Sequence, residues 1–333
     1  MKLIVVEEHY MSKKINEQYM KEMTKIVSPA VCSRLEGLQG FLENNKEISD
    51  LGELRIAAMD KQGVDMQVIS YGNNSPMDLP AETSVQLCRQ ANDELAAAIK
   101  KYPTRFAGFA VLPVGNPQAA ADELLRAVKQ LGFVGASLNG AYNGRFYDEP
   151  EFYPIFEKAA ELNVPIYFHP GFPDEKAADY YYKGENIPTA VSAVFSSFGY
   201  GWHVDVGVHM IRMILSGIFD KLPNLKLITG HWGELVPYYF DRIDETIPQS
   251  LTGFTRKFSE IYKEHVYITP SGIASRGPAI LAIGEMGADH VLWSHDFPYI
   301  KRDDVKDFLM GLPVSEAEKE KMAYKNAEAL LNL

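Results

Sequence analysis

The first residues that could do chemistry lie near the N-terminus, in the stretch IVVEEHY at residues 4–10. An apolar run ends there in two carboxylates and an imidazole, Glu7, Glu8 and His9. In an extended strand, residues two apart point to the same side, so Glu7 and His9 face one way and Glu8 the other. A carboxylate and an imidazole on one side of a strand suit a divalent metal ion, although a short ExH pattern alone also arises by chance.

Other apolar runs end in polar residues in the same way. VPIYFH ends in His169, LKLITGH ends in His231, and HVLWSHD ends in Asp296. Together with Glu7 and His9, His169 and Asp296 would supply two imidazoles and two carboxylates. This set suits zinc or manganese and can leave coordination positions open for water or substrate. The sequence therefore predicts one divalent ion, Zn or Mn, bound by these four residues.

The elements that must position these residues alternate along the chain. Short apolar runs typical of buried strands are separated by stretches with helical spacing of apolar residues, such as residues 123–131, 152–162 and 204–219. Eight repeats of strand and helix with nearly continuous apolar strands predict a parallel (β/α)8 TIM barrel, an α/β fold. The eight strand candidates are residues 3–6, 66–70, 106–112, 134–139, 164–169, 225–231, 265–272 and 290–296.

In such a barrel the C-terminal ends of the strands meet at one mouth. The four proposed ligands and His231 all follow strand candidates, and Asn139 ends the fourth, so we expect Asn139 to contact substrate there. Residues 10–52 and 170–203 exceed a minimal barrel, and each follows a strand candidate. Long connections of this kind are usually functional. We expect a single domain over residues 1–333, with these two segments as helical insertions that form lids or subunit contacts.

Composition and net charge argue against some classes of binding partner. The chain has 333 residues with 33 basic and 44 acidic side chains, a net charge of −11, which argues against nucleic acid and anionic membrane surfaces. Two cysteines, Cys32 and Cys88, cannot form a disulfide framework, so we expect a cytoplasmic protein. The sequence contains no run of 18 apolar residues, so it predicts no membrane-spanning helix. The expected function is therefore chemistry on a small molecule.

The remaining histidines have simpler explanations. His209 falls inside a predicted helix, where we expect it to bond a neighbour, and His265 and His290 precede strands at the face opposite the mouth. His295 precedes Asp296, so strand alternation should turn it away from the metal. His203 is the last residue of the insertion at residues 170–203, and the sequence leaves its role open.

The chain also resembles a known family. The stretches VVEEHY, LGFVGASLNG, VPIYFHP, LITGHWGELVPYYFDRID and VLWSHDFPY resemble the amidohydrolase superfamily. The resemblance is strongest to its non-oxidative decarboxylases, which include aminocarboxymuconate semialdehyde decarboxylase and γ-resorcylate decarboxylase, and it covers nearly the whole chain. It implies a metal-dependent barrel with a catalytic pair formed by His231 and Glu234. It implies metal ligands at Glu7, His9, His169 and Asp296.

The first motif separates activities within this branch. Hydrolases and the semialdehyde decarboxylase usually carry HxH, whereas Glu7-Glu8-His9 resembles decarboxylases of phenolic acids such as resorcylate or carboxyvanillate. The implied reaction is loss of CO₂ from a hydroxybenzoate-type acid, with the metal orienting the carboxylate and ortho-hydroxyl and Asp296 protonating the ring carbon. The alternative is a metal-dependent hydrolase of a lactone or amide, in which metal-activated water attacks.

Departures from the family pattern predict a pocket of different shape. Gly171, Pro270 and His295 stand where the decarboxylases tend to have arginine, threonine and a small residue. Arg242 lies 11 residues after His231, roughly 16 Å along a continuous helix and too far to serve its own site. The resemblance implies that Arg242 reaches the substrate of a partner chain in a homodimer or homotetramer. A surface salt bridge is the alternative role.

Overall fold

The structure is a computed structural model, and it describes residues 1–28, 31–32, 40 and 44–333. Its centre is a seven-stranded parallel sheet in which every strand pairs with the next along the chain. The predicted α/β class with parallel strands is confirmed. The strands are β1 Ile4–Tyr10, β2 Met66–Tyr71, β3 Phe106–Val111, β4 Gly135–Asn139, β5 Ile166–His169, β6 Leu227–Thr229 and β7 Val266–Ile268.

Helices connect consecutive strands and cover the sheet. They begin where the sequence supplies caps: the helix over residues 117–131 has Asn116 as its N-cap, Pro117 in its first turn and Gly132 after its end. Among the described residues, the α-helices of five or more residues are α1 Lys13–Met23, α2 Glu53–Gln62, α3 Ala81–Lys101, α4 Pro117–Leu131, α5 Tyr153–Leu162, α6 Glu175–Tyr182, α7 Thr189–Phe195, α8 Gly201–Leu215, α9 Phe240–Thr246, α10 Phe258–His265, α11 Arg276–Met286, α12 Val305–Met310, α13 Glu316–Glu320 and α14 Asn326–Leu331.

The predicted eighth strand, residues 290–296, is not a regular strand. Val291 pairs with Ile268 of β7, and Trp293 pairs with Val5 of β1, as isolated parallel bridges. The described residues therefore form seven regular strands and one bridging segment, residues 290–296, and the expected eighth strand is not confirmed. This segment still lies between the last strand and the first, so side chains at its end approach those at the end of β1.

The first strand is longer than predicted and irregular. It continues to Tyr10, so Glu7 and His9 lie within it and not beyond its end. The pairing of β1 with β2 shifts between Val6 and Glu8, and Glu7 has a φ of 82°. This is a β-bulge, a feature that changes the direction of a side chain.

Both insertions contain helices. The segment 10–52 holds α1, and its residues 29–30, 33–39 and 41–43 lie outside the described part of the chain. The segment 170–203 holds α6, α7 and the first turn of α8. No helix among the described residues is long and apolar enough to cross a bilayer.

Candidate active site

The structure brings the four predicted metal ligands together. The ligand atoms of Glu7, His9 and His169 all lie within 4.8 Å of one another. His9 Nε2 lies 3.3 Å from Asp296 Oδ1, and His169 Nε2 lies 3.7 Å from Glu7 Oε1. Because β1 and β5 end at the same edge of the sheet and the bridging segment lies beside β1, residues far apart in sequence meet there.

The facing atoms of this cluster fit a divalent cation. Glu7 Oε1, His9 Nε2 and Asp296 Oδ1 are buried without a hydrogen-bond partner. The opposite ring nitrogens are held: His9 Nδ1 lies 3.1 Å from Ser70 Oγ, and His169 Nδ1 lies 2.8 Å from the Pro170 carbonyl oxygen. A proton on Nδ1 leaves the Nε2 lone pair free, as in metal-binding histidines. Two nitrogen and two oxygen donors suit manganese or zinc.

Burial sets the charges of the cluster. It lowers the pKa of His9 to about 3 and that of His169 well below its ordinary value, so both rings are neutral near pH 7. Burial, and then the charge of Asp296, raise the pKa of Glu7. Burial also raises the pKa of Asp296 to about 7, against the lowering effect of nearby histidines. A divalent cation would neutralise the two crowded carboxylates.

Hydroxyl groups hold the other oxygen of Glu7. Oε2 accepts hydrogen bonds from Thr269 Oγ1 at 2.8 Å and from Ser271 Oγ. The backbone at Gly230 lies close to these groups because glycine has no side chain. A Cβ at this position would lie 2.9 Å from Glu7 Oε1 and 2.5 Å from Ser271 Oγ. This arrangement fixes the carboxylate and leaves Oε1 facing the imidazoles.

The backbone is strained at the same place. Residues with side chains other than glycine seldom adopt positive φ, and each such residue costs of order 1–3 kcal/mol. In the site, positive φ occurs at Glu7 (82°), His231 (49°), Glu234 (52°), Ser271 (42°) and Asp296 (64°). Strain of this kind clusters at functional sites, where surrounding packing maintains it.

The predicted pair of His231 and Glu234 lies in the turn that follows β6. His231 Nδ1 donates a 2.6 Å hydrogen bond to Glu234 Oε1. Burial alone would raise the pKa of Glu234, but His231 and the hydrogen bonds from His203 and His231 lower it to about 2. Glu234 is therefore a buried anion that holds the His231 ring in one tautomer, with its Nε2 left for another partner.

A second imidazole, His203, also bonds this carboxylate. His203 Nδ1 lies 3.0 Å from Glu234 Oε2, and its ring centroid lies 4.2 Å from that of His231. Burial lowers the pKa of His203, but the hydrogen bond and charge of Glu234 outweigh burial and raise it. Sequence reasoning missed His203 because it comes from an insertion and not from a strand end. Its only signal was its position in a long segment after the fifth strand.

The two predicted substrate contacts lie in different surroundings. Asn139 is aligned with His169 in the pairing of β4 and β5, and its Oδ1 accepts a 3.3 Å bond from Ser137. Arg242 lies in α9 with its side chain 71% exposed, 3.8 Å from Glu245. The residues between His231 and Arg242 do not form one helix, so the axial distance inferred from the sequence does not apply.

The other histidines have the structural roles predicted for them. His209 Nε2 accepts a 2.8 Å bond from the Tyr147 N–H, and His265 Nδ1 lies 3.0 Å from the Leu225 carbonyl oxygen. His295 Nε2 accepts a 3.2 Å bond from the backbone N–H of residue 302, so this ring points away from the cluster.

Gly171, where the resemblance implies arginine, has no room for a larger side chain. A Cβ at Gly171 would lie 2.7 Å from the Cα of Gly140, a residue whose φ is 57°. The two backbones are in direct contact beside the end of β5. A side chain as large as arginine cannot be placed at residue 171 unless this backbone moves.

Glu8, which points away from the cluster, holds both sides of Asp296. Its Oε1 accepts a 2.9 Å bond from the His295 N–H, and its Oε2 accepts a 3.0 Å bond from the Phe297 N–H. The buried Arg55 guanidinium interacts electrostatically with this carboxylate and donates a 2.6 Å bond to the His9 carbonyl oxygen. The Glu8 carboxylate takes the place of a neighbouring strand as the acceptor for these two N–H groups, and it fixes the backbone on both sides of Asp296.

We expect Glu8→Ala to destabilise the fold by about 2–6 kcal/mol, because it leaves the two backbone N–H groups of His295 and Phe297 buried without an acceptor, at about 1–3 kcal/mol each. Equilibrium urea unfolding of the purified variant measures this cost. Glu328→Ala is the matched control, since it removes an exposed pair with Lys2 and should cost about 0–1 kcal/mol. Equal midpoints for the two variants would contradict this role of Glu8.

Comparisons with known proteins agree with this geometry. Residues 42–333 match the family described as amidohydrolase. The decarboxylase orsB of Emericella nidulans is 33% identical over 340 aligned residues, covering 99% of this chain and 97% of the relative. The γ-resorcylate decarboxylase of a Polaromonas species is 35% identical, covering 87% of this chain and 90% of the relative.

A solved structure shows the same fold. It is a dihydroxybenzoic acid decarboxylase from Polaromonas with bound manganese and the inhibitor 2-nitroresorcinol. It superposes with a TM-score of 0.84 at 32% identity, covering 100% of this chain and 97% of that chain. The chain therefore belongs to the amidohydrolase family, and it is similar over nearly its whole length to decarboxylases.

Proposed function

We propose that this protein is a metal-dependent non-oxidative decarboxylase of a hydroxybenzoate-type aromatic acid, resembling resorcylate or carboxyvanillate. The observation that carries the proposal is the environment of Asp296. Its carboxyl group is buried, and its Oδ1 faces His9 Nε2 without a hydrogen bond. A carboxyl group beside the bound ring can donate a proton to a ring carbon and regain one from solvent.

Loss of CO₂ from an aromatic ring needs such a donor. Direct cleavage would leave an electron pair in an orbital orthogonal to the ring π system, so protonation of the carbon that bears the carboxylate must come first. Asp296 delivers the proton to that carbon, the C–C bond then breaks, and its electron pair restores aromaticity. The products are CO₂ and the phenol, with one solvent-derived proton on the ring.

The other residues bind and orient. A divalent ion held by Glu7, His9, His169 and Asp296 would orient the substrate carboxylate and ortho-hydroxyl and offset their negative charge. His231, fixed by Glu234, presents Nε2 to the substrate and can hold a proton for its phenolic oxygen. Asn139, which is aligned with His169 in the pairing of β4 and β5, would contact the ring substituents.

The test is product analysis on manganese-loaded protein. We expect 2,6-dihydroxybenzoate or a related ortho-hydroxybenzoate to yield CO₂ and phenol in equal amounts, measured by CO₂ release and ring absorbance. Benzoate, which lacks the ortho-hydroxyl group, should not react. If every hydroxybenzoate is left intact while a lactone or amide is cleaved with solvent oxygen in the product, the chain is a hydrolase and the proposal fails.

We further propose that the chain is one (β/α)8 TIM-barrel domain over residues 1–333, with residues 290–296 in the eighth strand position, and that it forms a homodimer or homotetramer. We call residues 230–235, which carry His231 and Glu234, the catalytic turn. Exposed apolar side chains in and after this turn support the assembly: Leu235, Tyr238 and Tyr239 are 47%, 68% and 50% exposed. Tyrosine is enriched at interfaces between protein chains. A second copy covering these side chains would border the site.

In this assembly Arg242 contacts the substrate of the partner. We expect Arg242→Ala to raise KM about 10- to 100-fold, the effect of losing a charge-assisted hydrogen bond, with a smaller change in kcat. Steady-state kinetics measures this, and Arg145→Ala is the control because Arg145 forms exposed pairs with Glu149 and Glu151. Sedimentation that finds only active monomer would contradict the assembly.

A further inference from the structure

His203 is not one of the proposed metal ligands, yet it lies against the catalytic turn. It is the third residue of α8 and the last residue of the second insertion. Its side chain is 16% exposed, and its Nδ1 lies 3.0 Å from Glu234 Oε2. The carboxylate of Glu234 is therefore shared, with His231 on Oε1 at 2.6 Å and His203 on Oε2.

The other side of the His203 ring is held by the insertion. The indole N–H of Trp202 donates a 3.1 Å hydrogen bond to His203 Nε2, and the Phe198 carbonyl oxygen lies 3.2 Å from the same nitrogen. Trp202 in turn contacts the rings of Phe198 and Phe172. With Nε2 accepting from Trp202, the proton lies on Nδ1, which donates to Glu234.

The backbone of the catalytic turn makes this second contact necessary. Positive φ at His231, Trp232, Glu234 and Leu235 means that local backbone preference does not maintain the turn. A carboxylate held only at Oε1 could rotate and carry the His231 ring with it. A second donor at Oε2 removes that freedom.

We propose that His203 is a positioning residue for the decarboxylation: by bonding the second oxygen of Glu234 it fixes the carboxylate that orients His231. This inference rests on the proposed function. It assigns the insertion at residues 170–203 a part in the reaction, because Trp202 and His203 connect the insertion to the catalytic imidazole.

Kinetics of three variants tests the proposal. We expect His203→Ala to lower kcat about tenfold, the effect typical of losing an outer partner of a site residue, with KM and metal content unchanged. His203→Asn should recover activity to within about threefold of wild type, because an amide N–H can take the place of Nδ1–H. Trp202→Phe keeps the ring contacts and loses only the donor, so its loss of kcat should be smaller than that of His203→Ala.

A spectroscopic measurement keeps the test independent of turnover. In the zinc-loaded full-length chain, protons on Nδ1 of His203 and His231 that bond the carboxylate should resonate far downfield of backbone amides in ¹H NMR spectra. His231→Gln assigns one of them. His203→Asn should remove the His203 signal and leave that of His231 in place, whereas His203→Ala should shift or broaden the His231 signal.

Two results would overturn the proposal. One is a His203→Ala variant with unchanged kcat and an unchanged His231 signal. The other is loss of activity that accompanies loss of metal or a lower unfolding temperature and that asparagine does not restore, which would make the role of His203 purely structural. If wild-type protein decarboxylates no hydroxybenzoate, the proposed function fails, and the NMR experiment still decides whether His203 controls His231.

Discussion

Asp296→Asn is expected to lower decarboxylation by about 10²- to 10⁴-fold or more, because an amide cannot supply the proton that the ring carbon must receive. The substitution keeps the shape of the side chain and one oxygen for the metal. Metal content, measured by elemental analysis of the purified variant, should therefore fall less than kcat does. Binding of a planar nitrophenol analogue, followed by absorbance, should persist in variant protein that retains metal.

Wild-type turnover in D₂O gives the corresponding positive result. The product should carry one deuterium at the vacated ring position, detected by mass spectrometry and NMR. Asp304→Asn is the control, since Asp304 is an exposed carboxylate paired with Arg302 near the same segment, and its activity should match wild type. An Asp296→Asn variant that loads metal and keeps wild-type kcat would exclude Asp296 as the proton donor.

His169→Ala is expected to lose both metal and activity. The wild-type chain should bind roughly one divalent ion, because the cluster supplies one set of four donors. Without His169 two carboxylates and one imidazole remain, a set that binds transition ions less well. Elemental analysis after dialysis and activity after adding manganese measure the two losses. Chelation should also lower the unfolding temperature of wild type, because bound metal stabilises the folded state.

His290→Ala serves as the control for this experiment, because His290 lies outside the cluster and contacts the Tyr267 ring. Its metal content should equal that of wild type. If the metal-free chain were fully active, or if His169→Ala kept its metal, the assignment of this cluster as the metal centre would be wrong.

The sequence indicated where the site residues would meet because strand ends in a parallel barrel converge. Glu7, His9, His169 and Asp296 each stood in or directly after an apolar run, and the structure brings them within a few ångströms. The alternation argument gave the correct sides for Glu7 and Glu8. It did so although β1 has a bulge at Glu7, which strict alternation does not include.

Two features could not be predicted from periodicity. Residues 290–296 have the composition of a buried strand, but the N–H groups of His295 and Phe297 bond the Glu8 side chain instead of a neighbouring strand. Such a contact joins residues far apart in sequence and leaves no local pattern. His203 was missed for the same reason. Its partner Glu234 lies 31 residues further along the chain, and no local sequence pattern links the two.

The contact between β1 and the bridging segment also bears on how the protein is made. Val6 and His9 donate backbone hydrogen bonds to the carbonyls of Trp293 and Phe297, so one edge of the first strand is paired by residues that are synthesised long after it. Until then β1 has a free apolar edge, which in other proteins favours aggregation. A chain that stopped before residue 290 would keep this edge and would also lack Asp296. Premature termination should therefore give aggregation and inactivity together.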